Sequence, residues 1–338
     1  MGEEAKKRMT VIDEFACLVD QEQKRARISK MIPLIVLIIL LIFFAIFRPA
    51  FLSYNNILAL LNQASIPLVL ACGATFVILI GSIDLSLEGV MAMTGTILSC
   101  LVYNNTTNLR LGIGAVLLVI LMGAGMGAFI GLLQVKCKVP SFLLTYGISS
   151  VCTGITLLVY KAIPVTILDK GILGVAQKTF LGLPVLSWLA LAVFLACLFM
   201  QEFTPIGRYI YAVGTDENVP KGAGININKV KIFVFAFSGL CIAIGGIMGA
   251  ARLGRGDLQI ANNRLFPTIT AVVLGGTSLA GGKGGVGNTL IGCLIITVLN
   301  NGMIFMGVPS NVVEGIEGII IILAVAFSMT RSRKSVVK

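Results

Sequence analysis

Long apolar runs follow one another along this chain from residue 31 to residue 329, and they constrain its fold more than any other feature. The 338 residues are 57% hydrophobic and 12% charged, whereas soluble domains carry about 25% charged residues. The hydrocarbon core of a bilayer is about 30 Å thick and needs about 20 apolar residues per helical span. The sequence therefore predicts an all-α integral membrane protein and excludes a soluble globular domain.

The apolar runs predict ten transmembrane segments. These are residues 31–47, 65–80, 85–103, 111–135, 139–160, 181–200, 231–251, 268–282, 287–306 and 311–329. The segment 268–282 is rich in glycine and shorter than a span needs, which predicts a broken or re-entrant helix buried within protein. The predicted organisation is a tail at 1–30, one transmembrane domain at 31–330 with a polar connection at 201–230, and a basic tail at 331–338.

Lysine and arginine are divided unequally between alternate connections. If the N-terminal tail is cytoplasmic, 18 of the 26 Lys and Arg residues lie on the cytoplasmic side and 8 lie outside. Cytoplasmic connections of membrane proteins carry such an excess. The sequence therefore predicts a multi-pass membrane protein with both termini and the connection 201–230 in the cytoplasm. The basic residues do not line one face of a soluble module, so we expect no nucleic-acid partner.

The usual catalytic residues are missing. The chain has no histidine, which excludes His metal ligands and Ser-His-Asp triads. Its eight cysteines are scattered singly, without the C-x-x-C pairs typical of zinc sites and redox motifs. We expect no enzyme activity, no metal site and no cofactor bound by this chain, and we expect membrane lipid around it.

A glycine-rich run at 274–288 invites comparison with a phosphate-binding P-loop. That motif requires G-x-x-x-x-G-K-[ST] between a strand and a helix. Here Lys283 is followed by Gly284, Thr277 stands where the first glycine is required, and apolar spans lie on both sides. We therefore expect any ATP hydrolysis to take place on another chain.

Ionisable residues follow the second predicted segment, in the sequence Ile-Asp-Leu-Ser-Leu-Glu at 83–88. Asp84 is predicted to cap the next helix by accepting a hydrogen bond from the Leu87 amide, with Glu88 near the positive end of the same helix. Ionisable groups at membrane depth often have functional roles, so a role in gating or in an ion path stays open.

Three motifs give the chain a specific resemblance. They are Ile-Asp-Leu-Ser at 83–86, Gly-Arg-Tyr-Ile-Tyr-Ala-Val-Gly at 207–214 with Gly-Ile-Asn-Ile-Asn-Lys at 224–229, and Val-Leu-Gly-Gly-Thr-Ser-Leu-Ala-Gly-Gly-Lys-Gly at 273–284. In this order they resemble the permease subunits of bacterial ribose-type ABC sugar importers, over about residues 51–326. The chain departs from that pattern at three places: at Val219-Pro220, which predicts a coupling helix that starts late or is broken, at 265–268, where two acids are missing, and at Glu317. These departures indicate a divergent paralogue. The resemblance implies a location in the bacterial inner (plasma) membrane.

The resemblance implies several partners. Similar permeases pair as homo- or heterodimers with a second permease subunit, bind cytoplasmic ABC ATPase subunits that use ATP and Mg²⁺, and receive sugar from an extracytoplasmic binding protein. It also implies that residues 215–224 form a coupling helix that docks into the ATPase. The residues assigned to coupling are Arg208, Gly214, Asp216, Glu217, Asn218, Lys221 and Gly224.

The same resemblance implies that residues 271–284 border a translocation path. The residues assigned to the path and its gating are Asp84, Ser86, Gly275, Gly276, Thr277 and Ser278, together with the polar residues Asn62, Gln63, Asn300 and Asn301 within or near the apolar runs. Hydrogen bonds between helices explain these four polar residues equally well.

The expected function is that of the transmembrane permease subunit of an ATP-driven importer for a monosaccharide or a similar small solute. An alternative from another class is an ion-coupled secondary transporter, in which Asp84, Glu88, Glu314 or Glu317 carries protons or cations.

Overall fold

The computed structural model describes residues 31–334, and these residues form an assembly of α-helices. The helices are α1 (Met31–Phe47), α2 (Tyr54–Leu79), α3 (Leu87–Leu101), α4 (Ile113–Cys137), α5 (Ser141–Tyr160), α6 (Lys170–Gln177), α7 (Val185–Phe203), α8 (Pro205–Thr215), α9 (Asn218–Gly222), α10 (Ile227–Leu253), α11 (Leu265–Leu274), α12 (Val286–Phe305) and α13 (Ser310–Lys334). Short 3-10 helices occupy Pro49–Leu52 and Leu258–Ile260. The predicted tail 1–30 and residues 335–338 lie outside the described residues.

Six of these helices, α2, α4, α5, α7, α10 and α12, are long and apolar enough to cross a bilayer. Two further apolar helices, α1 and α3, are shorter. The prediction of a helical membrane protein is therefore confirmed. The count of ten spans and the cytoplasmic location of both termini stay predictions.

Helix α11 is the short element expected near the glycine-rich run. It has 10 residues, or about 15 Å at 1.5 Å per residue, roughly half the thickness of the hydrocarbon core. The predicted segment 268–282 is wrong at both ends, because the helix starts at Leu265 and stops at Leu274. Residues 275–285 form a loop in which five glycines adopt positive φ, which ends the helix.

Two other predicted boundaries are wrong because hydropathy excludes polar residues that a helix tolerates. Helix α2 begins at Tyr54, well before residue 65, and carries Asn62 and Gln63 inside it. The connection 201–230 is mostly helical. The Thr204 hydroxyl accepts a hydrogen bond from the Gly207 amide and so caps α8, which buries one face through Gly207, Ile210 and Val213.

Helix α10 forms the centre of the bundle, and it packs closely on α4. A Cβ atom at Gly127 would overlap the Phe235 carbonyl oxygen, and one at Gly239 would overlap the Gly123 carbonyl oxygen. Such glycines let helix backbones approach in lipid, where close packing replaces the hydrophobic effect. The small-residue spacing in α4 therefore serves packing against α10.

The connections at one end of the bundle are joined by short strands. Strand β1 (Val165–Thr166) pairs antiparallel with β4 (Arg255–Gly256), and β2 (Thr179–Phe180) pairs with β3 (Leu183–Pro184). Within the predicted external loop 161–180, the Asp169 side chain caps α6 by accepting from two of its first amides. This loop is ordered by regular structure that its sequence did not predict.

We expect Gly127→Ala to destabilise the protein, because the added methyl group would force α4 away from the α10 backbone. Overpacking of this kind costs about 1–3 kcal/mol. The matched control is Gly125→Ala, two residues away on α4, where a Cβ atom meets nothing within 4 Å. Thermal unfolding in detergent should show a lower Tm for Gly127→Ala alone, and equal Tm values for the two variants would contradict this view of the helix pair.

Candidate functional site

Backbones from three separate parts of the chain meet where α2 and α8 end, and we call this the glycine junction (Leu79, Gly81, Gly214, Gly281 and Gly282). The Gly282 amide donates a hydrogen bond of 2.9 Å to the Leu79 carbonyl. A Cβ atom at Gly214 would overlap that same carbonyl oxygen, and one at Gly281 would lie 2.8 Å from the Gly214 carbonyl oxygen and from the Gly81 nitrogen. The ends of α2 and α8 therefore contact the loop 275–285 without intervening side chains.

The loop 275–285 holds its own shape through short hydrogen bonds. The buried Thr277 hydroxyl accepts from the Gly285 amide at 3.2 Å, and the Ser278 amide donates to the Lys283 carbonyl at 2.9 Å. Gly275 packs directly against the backbone of α12, where a Cβ atom would overlap the Asn288 carbonyl oxygen. The loop and α12 are therefore in backbone contact at Gly275.

Two side chains from α7 and α8 fasten this loop from outside. The Val286 amide donates to Gln201 Oε1 at 2.7 Å, and the Tyr211 hydroxyl donates to the Gly284 carbonyl at 2.7 Å. Burial, with a smaller contribution from the negative charge of Glu202, raises the pKa of Tyr211 to about 12. The phenol therefore stays protonated and keeps its donor role. Sequence reasoning missed both residues, since nothing local in the sequence marks their partner.

The segment assigned to coupling, 215–224, is not one continuous helix. Helix α8 ends at Thr215, and a separate turn of helix, α9, covers Asn218–Gly222. Pro220 lies at the third position of α9, where its missing N–H removes no intrahelical bond. Gly224 has φ +77° and lies just past the end of this turn.

The charged residues of the coupling segment are partly held by this chain itself. Lys231 Nζ lies 2.7 Å from Glu217 Oε1, with 51% of the Glu217 side chain exposed. Asp216 Oδ1 accepts from the Asn218 amide at 2.9 Å and from its side chain at 3.1 Å. Arg208 and Lys221 are exposed. The segment therefore presents a capped, ordered surface next to the glycine junction.

The break between α2 and α3 is organised by Asp84. Its Oδ1 accepts from the Ser86 amide at 2.9 Å and from the Ser86 hydroxyl at 2.6 Å, and its Oδ2 accepts from the Ser238 hydroxyl at 3.2 Å. The predicted bond from the Leu87 amide is wrong, because Ser86 is the residue that precedes α3 and fills that carboxylate oxygen. Asp84 thus ties the break to the middle of α10.

Glu88 lies in the first turn of α3, as predicted. Its Oε1 also accepts from the Arg264 amide at 2.9 Å and from the Leu265 amide at 3.0 Å, at the start of α11. The carboxylate is therefore also placed at the positive end of α11, where it satisfies amides that a helix leaves unpaired. Within residues 31–334, no group of three or more His, Cys, Asp or Glu is placed to hold a metal ion.

A polar cavity of about 100 Å³ lies between α2, α11, α12 and α13. Its lining includes Gln63, Pro67, Arg264, Thr268, Thr297, Asn300 and Glu317. Asn301 donates to Gln63 Oε1 at 3.4 Å, and the Asn62 carbonyl accepts from Arg252 at 3.5 Å. Gln63 and Asn300 thus line the cavity. Asn301 is linked to it through Gln63, and Asn62 contacts α10 through its backbone carbonyl.

The glycine junction and the polar cavity are well separated along α2. Gln63 precedes Leu79 by a distance of about 24 Å, at 1.5 Å per residue. The structure brings the glycine-rich run next to the coupling segment and places the Asn and Gln residues elsewhere, with Glu317. The expected set of path residues is therefore divided between two places.

We expect Tyr211→Phe to loosen the loop 275–285, because the Gly284 carbonyl loses its donor. The loss of one such hydrogen bond costs about 0.5–1.5 kcal/mol. Hydrogen exchange of amides in 275–285 should speed up, with a small decrease in Tm. The exposed Tyr209 on the same helix provides the control, and Tyr209→Phe should change neither measurement. Unchanged exchange in Tyr211→Phe would show that this bond does not hold the loop.

Comparison with known proteins gives this arrangement a family. Residues 56–325 match the family described as branched-chain amino acid transport system / permease component. The ribose import permease protein of Haemophilus influenzae is 39% identical over 86% of this chain and 90% of its own length. The ribose import permease protein of Bacillus subtilis is 36% identical over 92% and 97%, and the D-allose transport system permease protein of Escherichia coli is 30% identical over 88% and 91%. No solved structure matches the chain.

The three motifs that suggested a permease all lie within the matched residues, and six helices of the part described, residues 31–334, are long and apolar enough to cross a bilayer. The chain therefore belongs to this family of transport permease components, as a multi-pass inner-membrane permease of the ribose-type ABC importers.

Proposed function

We propose that this chain forms the translocation path of an ATP-driven importer for a monosaccharide. The conformational change that ATP hydrolysis causes in the ATPase would be transmitted to this chain through the coupling segment 215–224. The glycine junction carries this proposal. Helix α8, which leads directly into that segment, contacts α2 and the loop 275–285 backbone to backbone at the glycine junction, and Tyr211 adds a side-chain hydrogen bond to Gly284. A movement of the segment is therefore passed to the loop without a soft layer of side chains.

The partners follow from the family. A cytoplasmic ABC ATPase that uses ATP and Mg²⁺ would dock on the coupling segment, where Val219 is 68% exposed and Lys221 is free to contact it. An extracytoplasmic binding protein would deliver sugar, and a second permease subunit, identical or related, would complete the path. In this proposal, residues 31–330 form the single transmembrane domain, and the tails 1–30 and 331–338 lie in the cytoplasm.

Relatives that import ribose and allose support a neutral, hydroxyl-rich solute. The alternative, an ion-coupled transporter, needs carboxylates that bind and release protons or cations. Asp84 already accepts three hydrogen bonds, and Glu88 accepts two backbone amides from α11. These two acids therefore have structural roles, and an ion-coupled mechanism would depend on Glu314 or Glu317.

Uptake by proteoliposomes tests the energy source. We expect vesicles containing this chain, its ATPase and its binding protein to accumulate radiolabelled D-ribose, D-allose or L-arabinose when ATP is supplied to the ATPase. An imposed proton gradient without ATP should give no accumulation, because the coupling surface and not a carboxylate drives the cycle. Accumulation that follows the proton gradient and ignores ATP would establish the ion-coupled alternative.

Charge exchange at the coupling segment separates docking from internal structure. We expect Glu217→Arg to abolish ATP-driven uptake while the protein still inserts into the membrane. The double variant Glu217→Arg with Lys231→Glu restores the internal ion pair in reverse. If Glu217 contacts the ATPase, the double variant should stay inactive. Full recovery of uptake would show instead that only the pair with Lys231 matters.

A further inference from the structure

Several unsatisfied hydrogen-bond acceptors converge on the polar cavity. Glu317 Oε1 and Asn300 Oδ1 are buried, and neither has a hydrogen-bond partner among the residues that the structure describes. Both residues line the cavity. A buried acceptor without a donor costs about 1–3 kcal/mol, and more when it is charged. The cavity is therefore suited to a molecule that supplies donors.

The backbone of α2 is irregular beside the same cavity. Pro67 lies inside this helix and has no N–H, so the Gln63 carbonyl, four residues earlier, lacks its usual helical donor. Pro67 and Gln63 both line the cavity. Free backbone groups within a membrane are tolerated where they line a polar cavity, which is what their position here provides.

A strong donor faces the same space. Arg264 lines the cavity at the start of α11, and its backbone amide is already bound to Glu88. The guanidinium carries up to five N–H donors and never loses its charge in proteins. The cavity thus combines the carboxylate of Glu317, which only accepts hydrogen bonds, with the guanidinium of Arg264, which only donates them.

The ligand chemistry follows from this pair. A free cation would be repelled by Arg264 and a free anion by Glu317, so the pair favours a neutral molecule. Hydroxyl groups donate one hydrogen bond and accept others, so neighbouring hydroxyls on one solute satisfy both side chains. The volume of about 100 Å³ holds several water-sized groups, which the hydroxyls of a sugar would replace.

We propose that this cavity is a binding site for the hydroxyl groups of the transported sugar, and that Glu317 determines which hydroxyl pattern is accepted. The proposal rests on the import function above and adds the site at which the solute is recognised inside the membrane. Glu317 is a specificity-determining residue in this view, and Arg264 and Asn300 are its partners in binding.

The chain provides a matched control one turn away. Glu314 lies on the same face of α13, is exposed, and already accepts a hydrogen bond of 3.1 Å from the Asn263 side chain. It does not line the cavity. Both Glu→Gln changes remove one charge from α13. The change at 314 keeps an oxygen that can accept from the Asn263 side chain, which lines the cavity, whereas the change at 317 alters a lining residue itself.

The first test measures sugar transported per ATP hydrolysed, with the complete importer in proteoliposomes and the binding protein saturated with D-ribose. Because Glu317→Gln removes a charge-assisted hydrogen bond to the sugar, we expect it to lower the amount of sugar transported per ATP about tenfold or more. We expect Glu314→Gln to leave this amount unchanged. Glu317→Gln should also change the preference for D-ribose over its 2-deoxy and 3-deoxy analogues, which a loss of packing alone would not do. Equal ratios and equal preferences in both variants would overturn the proposal.

A second test keeps Glu317 intact, in case its replacement prevents assembly. In the assembled importer carrying Ile296→Cys, at an apolar position that lines the cavity and has no assigned role in binding, a small thiol reagent should modify position 296 more slowly when D-ribose is present and at the same rate when choline is present. Protection by choline instead of ribose would mean a cation site, and no protection by ribose would reject a sugar site. Both results count against the proposal only if the wild-type importer transports ribose with ATP. If it transports none of the three sugars tested above, the proposed function itself fails.

Discussion

The carboxylate of Glu88, on α3, accepts the first amides of α11, a helix that packs on α2, α12 and α13. In a bilayer an unpaired amide costs several kcal/mol, so a helix can begin at depth only where protein supplies an acceptor. Glu88 supplies it from a distant part of the chain. The position of α11, and with it one wall of the polar cavity, depends on this contact.

The non-helical residues that precede α3 and Glu88 are held in a similar way. Asp84 gathers the Ser86 amide and hydroxyl and the Ser238 hydroxyl, so the non-helical residues between α2 and α3 are fixed against α10. One short acidic sequence at 83–88 therefore stabilises two interruptions of regular helix. Asp84 fixes the interruption before α3, and Glu88 fixes the one before α11. Discontinuous helices of this kind are where transporters bind their solutes, and the polar cavity lies beside the second interruption.

Local patterns in the sequence predicted the features that depend on local chemistry. Apolar runs predicted a helical membrane protein, and the glycines after Val273 predicted a short element in place of a full span. The remaining features arise from partners far apart in the chain. Glu88 and Arg264 are separated by 176 positions, and Tyr211 and Gly284 by 73, so no local pattern pairs them. Helix α8 was missed because its polar face resembles a loop in a hydropathy profile, whereas its buried face appears only when the partner surface is known.

The packing of α11 on α12 connects the two parts of the proposed site. A Cβ atom at Gly275 would overlap the Asn288 carbonyl oxygen, and one at Gly292 would overlap the Ala271 carbonyl oxygen, so the two backbones are in contact at both positions. Closely packed backbones do not slide without separating, because protein interiors resist small deformations. The loop 275–285 connects α11 to α12 and contacts the glycine junction. At the cavity, α11 contributes Arg264 and Thr268 to the lining, and α12 contributes Thr297 and Asn300. A displacement of the loop would therefore move α11 and α12 together relative to Gln63 on α2, and would change the distances between the groups that bind one solute.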